Sequence, residues 1–199
     1  VAILIAWLNL LILIVSAGLF LFFYVKSASP AQLEAKIGEG AYRKCMYYRI
    51  LASTFETITI VNYIVYRFYP LPIGLPLNLP WPFSVSVLLA ACIAVPSLYL
   101  MYIGMRDAGR ETLEPRKDHT MYAGVYNKMR HPQALGESFL WFPVALLLDS
   151  PFLVLFSFVW IPILYVMCVY EERDLLVRYG QAYADYRERV GILPRSSSE

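Results

Sequence analysis

The side chains able to do chemistry gather in two short stretches of the chain. In the first, Tyr126-Asn-Lys-Met-Arg130-His131-Pro132-Gln-Ala-Leu-Gly136-Glu137, a basic loop turns into an apolar run. The second is the carboxylate pair Glu171-Glu172, where the last apolar run ends. His131 stands between Arg130 and a proline suited to the first position of a helix, and a helix start offers unpaired N–H groups. An anionic or carbonyl group of a ligand can dock there, although the same residues also read as an ordinary interfacial helix start. Glu137 lies one turn inside the run, where an unpaired charge at the centre of a bilayer costs about 2.5–3.5 kcal/mol. It either pairs with an arginine or lines a polar pocket, and Glu56, inside an earlier apolar run, has the same two readings. Glu171 and Glu172 close a helix at the end where the dipole disfavours carboxylates. Their i+4 neighbours are Leu175 and Leu176, so no local ion pair serves them. A solvated helix face would leave both acids without a partner, and a cation supplied from elsewhere is expected.

The elements that must position these groups are apolar helices. Hydrophobic residues make up 59% of the 199, charged residues 16%, and the mean hydropathy is +0.53. Soluble domains have about 45–50% and about 25% respectively, so this composition points to an all-α, polytopic membrane helix bundle. Residues 1–25 form an uncharged run long enough to span a hydrocarbon core of roughly 30 Å. Residues 26–49 are polar and basic, with Leu33, Ile37 and Ala41 on one face, which predicts a short helix on the membrane surface. Residues 50–69 form a second span. Pro70, Pro72, Pro76, Pro80 and Pro82 then exclude helix, and residues 83–105 form a third span, which Pro96 is expected to kink. The segment 106–130 is polar, with a turn expected over Tyr122-Ala-Gly124-Val-Tyr126. A fourth run, 134–148, and a fifth, 152–170, are joined at Asp149-Ser150-Pro151 as a helical hairpin. An amphipathic tail helix is expected over 171–190 from the spacing of Leu175, Leu176, Tyr179, Tyr183 and Tyr186. The whole chain, 1–199, reads as a single integral membrane domain: three N-terminal spans over 1–105, then the site-bearing loop, hairpin and tail over 106–199.

Charge placement orients these five spans. Sixteen of the seventeen Lys and Arg residues fall on one face, and only Arg67 lies toward the other. The positive-inside rule makes the rich face cytoplasmic, with the N-terminus outside and the C-terminus inside. Both chemistry-bearing stretches then share the cytoplasmic side. The net charge of +2, without clustered Lys/Arg and aromatic residues, argues against nucleic acid as a partner. Cys45, Cys92 and Cys168 are scattered and odd in number, which suits packing rather than disulfides or a zinc ribbon. His119 and His131 are too few for a histidine-rich metal site; carboxylates can still bind magnesium, but no metal ligands are assigned.

Taken together, Gly124-Val-Tyr126-x-x-x-Arg130-His131-Pro132-x-x-x-Gly136 and Glu171-Glu172-x-x-Leu175-Leu176-x-x-Tyr179-Gly180-x-x-Tyr183-x-x-Tyr186 resemble the membrane methyltransferases typified by isoprenylcysteine carboxyl methyltransferase and the phospholipid N-methyltransferases. The resemblance covers roughly the last 80 residues. It implies a helical bundle that encloses S-adenosylmethionine at the cytoplasmic face, with a lateral opening for a lipophilic or membrane-embedded acceptor. It also implies cofactor contacts from Gly124, Tyr126, His131, Pro132, Leu135, Gly136, Glu171 and Glu172, with Arg130 orienting an anionic substrate. Glu137, from its place inside the apolar run, joins Arg130 as a candidate catalytic group. Two departures bear on the acceptor. Ala134 stands where the family usually has tyrosine, and Val166-Met-Cys-Val-Tyr170 supplies no arginine before the glutamates, which argues against a prenylcysteine carboxylate. The Arg130-His131-Pro132-x-x-x-Gly136-Glu137 stretch also resembles NADPH-dependent membrane steroid and sterol reductases. A non-catalytic scaffold of the same fold is a third reading.

Overall fold

The computed structural model describes residues 1–112, 114–115 and 123–194. His119, Tyr122 and the cations Arg116, Lys117 and Arg195 lie outside the described residues. All regular structure among the described residues is helical: α1 (Ala2–Ser27), α2 (Pro30–Ile37), α3 (Ala41–Phe68), α4 (Phe83–Ala108), α5 (Pro132–Leu147), α6 (Pro151–Ser157), α7 (Trp160–Tyr179) and α8 (Gln181–Arg189), with single 3-10 turns at Gly38–Gly40, Gly109–Thr112 and Gly124–Asn127.

Among the described residues, three stretches are long and apolar enough to cross a membrane: Ala2–Ser27, Phe83–Thr112 and Pro151–Tyr179. With them the protein is an integral membrane protein. The expected second and fourth spans, α3 and α5, fall short of that measure for different reasons. α3 carries Arg43, Lys44, Arg49, Glu56 and Arg67 along its length. α5 has 16 residues, which at 1.5 Å each reach about 24 Å, less than a full hydrocarbon core.

Several boundaries differ from the sequence expectation. The second helix starts at Ala41, not near residue 50, because the polar turns through Arg49 are helical and dock inside the protein. α2 is a separate short helix before it. Its N-terminus is held from another helix, where Asp174 Oδ1 accepts the backbone N–H groups of Ala31 (2.9 Å) and Gln32 (3.1 Å). The fifth run is broken at Phe158–Val159 into α6 and α7. α7 then continues through Glu171 and Glu172 to Tyr179, so the acids lie within a helix and not at its end. The tail is correspondingly short: Gly180, at φ 56°, stops α7, and α8 starts at Gln181.

Two helix pairs frame the molecule. α1 packs on α3 with buried polar contacts, Asn9 Nδ2 donating to the Asn62 carbonyl (3.1 Å) and Ser16 bonding Thr59 (2.7 Å). α4 packs on α5 through small residues. A Cβ at Gly136 would collide with the Ser97 carbonyl oxygen and lie 2.9 Å from the Met101 nitrogen, and one at Gly104 would lie 3.0 Å from the Gln133 nitrogen. Small residues let backbones approach closely where lipid provides no hydrophobic drive between helices. Aromatic packing joins α1, α3, α5 and α7: Trp141 stacks on Trp160 at 3.8 Å, with Tyr63 and Phe20 against them at 5.1 and 5.3 Å.

Candidate functional site

The end of α1, the start of α3, the end of α4, the start of α5 and the C-terminal half of α7 meet at one end of the bundle. They enclose a cavity of about 680 Å³, within the usual range of about 300–1,000 Å³ for small-molecule sites. Of the site residues singled out from sequence, Tyr126, Arg130, His131, Glu137 and Glu171 line it, and so does Glu56.

His131 sits at the N-cap of α5, outside the helix proper, with Pro132 buried at the first helical position. Its ring is 7% exposed and faces α7 with both nitrogens. Nε2 lies 3.0 Å from Glu172 Oε1 and Nδ1 3.5 Å from Glu171 Oε2. A neutral imidazole has one donor and one acceptor nitrogen, and an acceptor turned to a carboxylate would be repelled. Two carboxylates on two nitrogens therefore select the imidazolium. Burial alone would lower the His131 pKa, but hydrogen bonds to Cys168, Glu171 and Glu172 hold it well above the ordinary imidazole value.

The two acids divide the work around this cation. Glu172 is 13% exposed and saturated: besides His131 it meets Arg130 Nε at 3.0 Å and Arg187 at 3.9 Å. It faces a second, smaller cavity of about 270 Å³ on the far side of α7, shared with Cys168 and Arg187. Glu171 is 29% exposed and lines the main cavity, with Tyr24 of α1 donating to its Oε1 at 2.8 Å. The cation expected for the pair is thus largely within the chain, in His131 and Arg130, while Glu171 keeps accessible carboxylate toward the cavity.

The remaining sequence candidates have other surroundings. Arg130 is engaged by Glu172, and its guanidinium donates to the Arg187 carbonyl at 2.9 Å while its backbone N–H donates to Gly191 at 3.0 Å. Tyr186 donates to the Tyr126 carbonyl at 2.7 Å, and Tyr126 in turn donates to that of Gly104 at 3.2 Å. Tail and basic loop are therefore one unit. Gly124, at φ 65°, lies where a Cβ would strike the Asp107 carboxylate, which accepts the Val125 N–H at 2.8 Å. Gly136 faces α4. Gly124, Pro132, Leu135, Gly136 and Glu172 are not among the cavity-lining residues. Glu137 lines the cavity beside Glu56 of α3, their carboxyls within hydrogen-bonding reach, instead of pairing with an arginine.

Sequence reasoning did not find Tyr24, Arg49, Cys168 or Asp107, each of which acts across helices. Arg49 lines the cavity and is fixed by two hydrogen bonds to the carbonyls of Glu111 and Thr112, at 2.8 and 2.9 Å. Farther along, the walls are apolar, with Ile60 of α3, Leu98 of α4 and Val144 and Leu147 of α5. Among the described residues, no group of three or more His, Cys, Asp and Glu side chains is placed to hold a metal ion.

Residues 84–182, from the start of α4 into α8, match the family model described as phospholipid methyltransferase, in the superfamily that includes isoprenylcysteine carboxyl methyltransferase. The matched region takes in α4, which the sequence motifs alone left out. No curated protein and no solved structure matches the chain.

Proposed function

We propose, from the premise that the chain belongs to the phospholipid methyltransferase family, that it transfers a methyl group from S-adenosylmethionine to a lipophilic acceptor at the cytoplasmic face of its membrane. The observation that carries this reading is Glu171: a carboxylate held by His131 and Tyr24, yet open to a cavity of small-molecule size.

The residues present fit the cofactor. Glu171 offers accessible carboxylate to an ammonium group, as an amino-acid moiety requires, and Arg49 places a fixed positive charge on the same wall for its carboxylate. The rings of Tyr24, Trp141 and Tyr126 line the space between, where aromatic faces favour a cation. Bound there, S-adenosylmethionine supplies a methyl group on a positively charged sulfur. The protein's part is to align that group with the acceptor and keep water out. His131, Arg130 and Glu172 are positioning residues: the imidazolium fixes Glu171, and Glu172 with Arg130 fixes the imidazolium. Tyr126, Gly124, Pro132, Leu135 and Gly136 shape this wall by holding the loop and α5 against α4 and the tail.

The acceptor reaches the cavity along its apolar half, between α3, which packs on α1, and α4, which packs on α5. Glu137 lies at the junction of the polar and apolar halves, where a nucleophile would sit. The cytoplasmic assignment is supported by Arg49, Arg130 and Arg178 at the cavity's polar end. The family match speaks for methyl transfer over the reductase and scaffold readings. Calorimetric titration of the detergent-solubilised protein tests the choice: S-adenosylhomocysteine is expected to bind and NADPH not. NADPH binding alone, or binding of neither by folded protein, would overturn it.

A further inference from the structure

Glu56 and Glu137 take no part in the His131 cluster. Glu56 lies midway along α3 and Glu137 one turn into α5, and both carboxyls reach each other in the cavity. The wall around them is aliphatic, with Ile60, Leu98, Leu140 and Val144. Among the described residues no Lys or Arg forms an ion pair with either. The titratable and charged groups facing them are Tyr24 of α1, Glu171 of α7 and Arg49, nearer the polar end of α3; the facing part of α4 contributes Ala94, Leu98 and Met101. Two ionised carboxylates at hydrogen-bonding distance would turn lone pairs on each other in a medium that screens poorly. A hydrogen bond between them requires one proton, so the pair carries a single negative charge.

We propose that Glu56 and Glu137 form a proton-sharing dyad that receives the proton given up by the acceptor's nucleophilic atom, so that the acceptor is a long-chain molecule whose attacking atom bears hydrogen. The inference rests on the methyl-transfer reading and adds Glu56 to the site. In the step, the lone pair of the attacking nitrogen or sulfur forms the bond to the methyl carbon. The bond from that carbon to the donor sulfur breaks, and its electrons stay on that sulfur. The proton of the attacking atom passes to the ionised member of the dyad, which releases it to water after product leaves. A carboxylate acceptor has no proton to give and would meet the dyad's charge, in accord with the absence of an arginine before Glu171.

The test uses the purified full-length chain in detergent. Infrared difference spectra across a pH series read the carbonyl stretch of protonated carboxyl groups independently of turnover. A band persisting at neutral pH is expected in the native protein and is expected to be lost in both Glu56→Gln and Glu137→Gln, which retain their fold and their affinity for S-adenosylhomocysteine. A native spectrum without that band, or a band that survives both substitutions, would overturn the dyad. With a long-chain primary amine and a long-chain thiol as separate acceptors, at least one is expected to be methylated, and its turnover should fall by about a hundredfold or more in either variant. Unchanged turnover in both variants, or methylation confined to a long-chain carboxylate, would overturn the proton-accepting role. Failure of the native chain to bind S-adenosylhomocysteine would instead remove the methyl-transfer reading itself, and the inference with it.

Discussion

His131 Nε2 and Glu172 Oε1 meet at 3.0 Å although 41 positions separate them in the chain. The contact ties the start of α5 to the middle of α7, and through Arg130 and Arg187 it reaches the tail. It also places a cation at a helix N-terminus, where the dipole is unfavourable, so the two carboxylates must more than offset that cost.

Removing the cation should therefore be expensive. His131→Ala leaves Glu171 with Tyr24 and Glu172 with Arg130 but strips a buried charge from both, and breaking a buried ion pair costs about 3–5 kcal/mol. Apparent melting temperature in detergent is expected to drop by several degrees. A variant melting with the native protein would show that the cluster does not stabilise the fold.

The same cluster sets a pH dependence. The folded-state pKa of His131 is raised above its unfolded value of about 6.5. The stabilisation is therefore fully present below that unfolded value and is lost as pH rises through the folded-state pKa. The groups facing the ring are Glu171, Glu172 and Cys168 on α7, with Arg130 alongside and Arg187 from α8 beyond Glu172. Melting temperatures across neutral to alkaline pH are expected to fall in the native protein and to be flatter in His131→Gln. Parallel profiles would count against a charged His131.

Gly136→Ala puts a methyl group against the Ser97 carbonyl, where backbone must move, and such overpacking costs about 1–3 kcal/mol. Gly18→Ala, with no neighbour within 4 Å of the added carbon, is the matched control and should be tolerated. Equal stability of the two variants would show that α4 and α5 are not in close contact at Gly136.

Asp174 is buried and holds the first turn of α2 through two backbone N–H groups. Asp174→Ala is expected to release that helix, at a cost of about 1–3 kcal/mol for the donors left unpaired. Hydrogen exchange should then quicken over residues 30–37. Unaltered protection there would mean that α2 is held by other contacts.

Much of this was legible in the chain because it depends on local chemistry. Pro132 marks the start of α5, and Asp149-Ser150-Pro151 marks the turn between α5 and α6. The lack of an i+4 partner for Glu171 and Glu172 pointed to a distant cation, and His131 supplies it. The rest depends on tertiary contact. The polar turns Tyr42–Arg49 fall in the segment that reads as membrane surface, because nothing local shows that they continue the second helix or that Arg49 reaches the carbonyls after α4. The charged residues from Glu171 onward suggest that the spanning helix ends there, whereas Gly180 with its positive φ is what stops α7. No spacing rule joins Glu56 to Glu137 or Asp107 to Gly124.

The division between the two acids gives the most direct test. Glu171 faces the cavity and Glu172 faces His131 and Arg130 from the other side of α7, so their amide variants should differ. In calorimetric titration with S-adenosylhomocysteine, Glu171→Gln is expected to weaken affinity by about tenfold or more, the loss of one charge-assisted hydrogen bond. Glu172→Gln is expected to weaken it less. Native affinity in Glu171→Gln, with the variant folded, would contradict the assignment of Glu171 as the carboxylate that holds the cofactor.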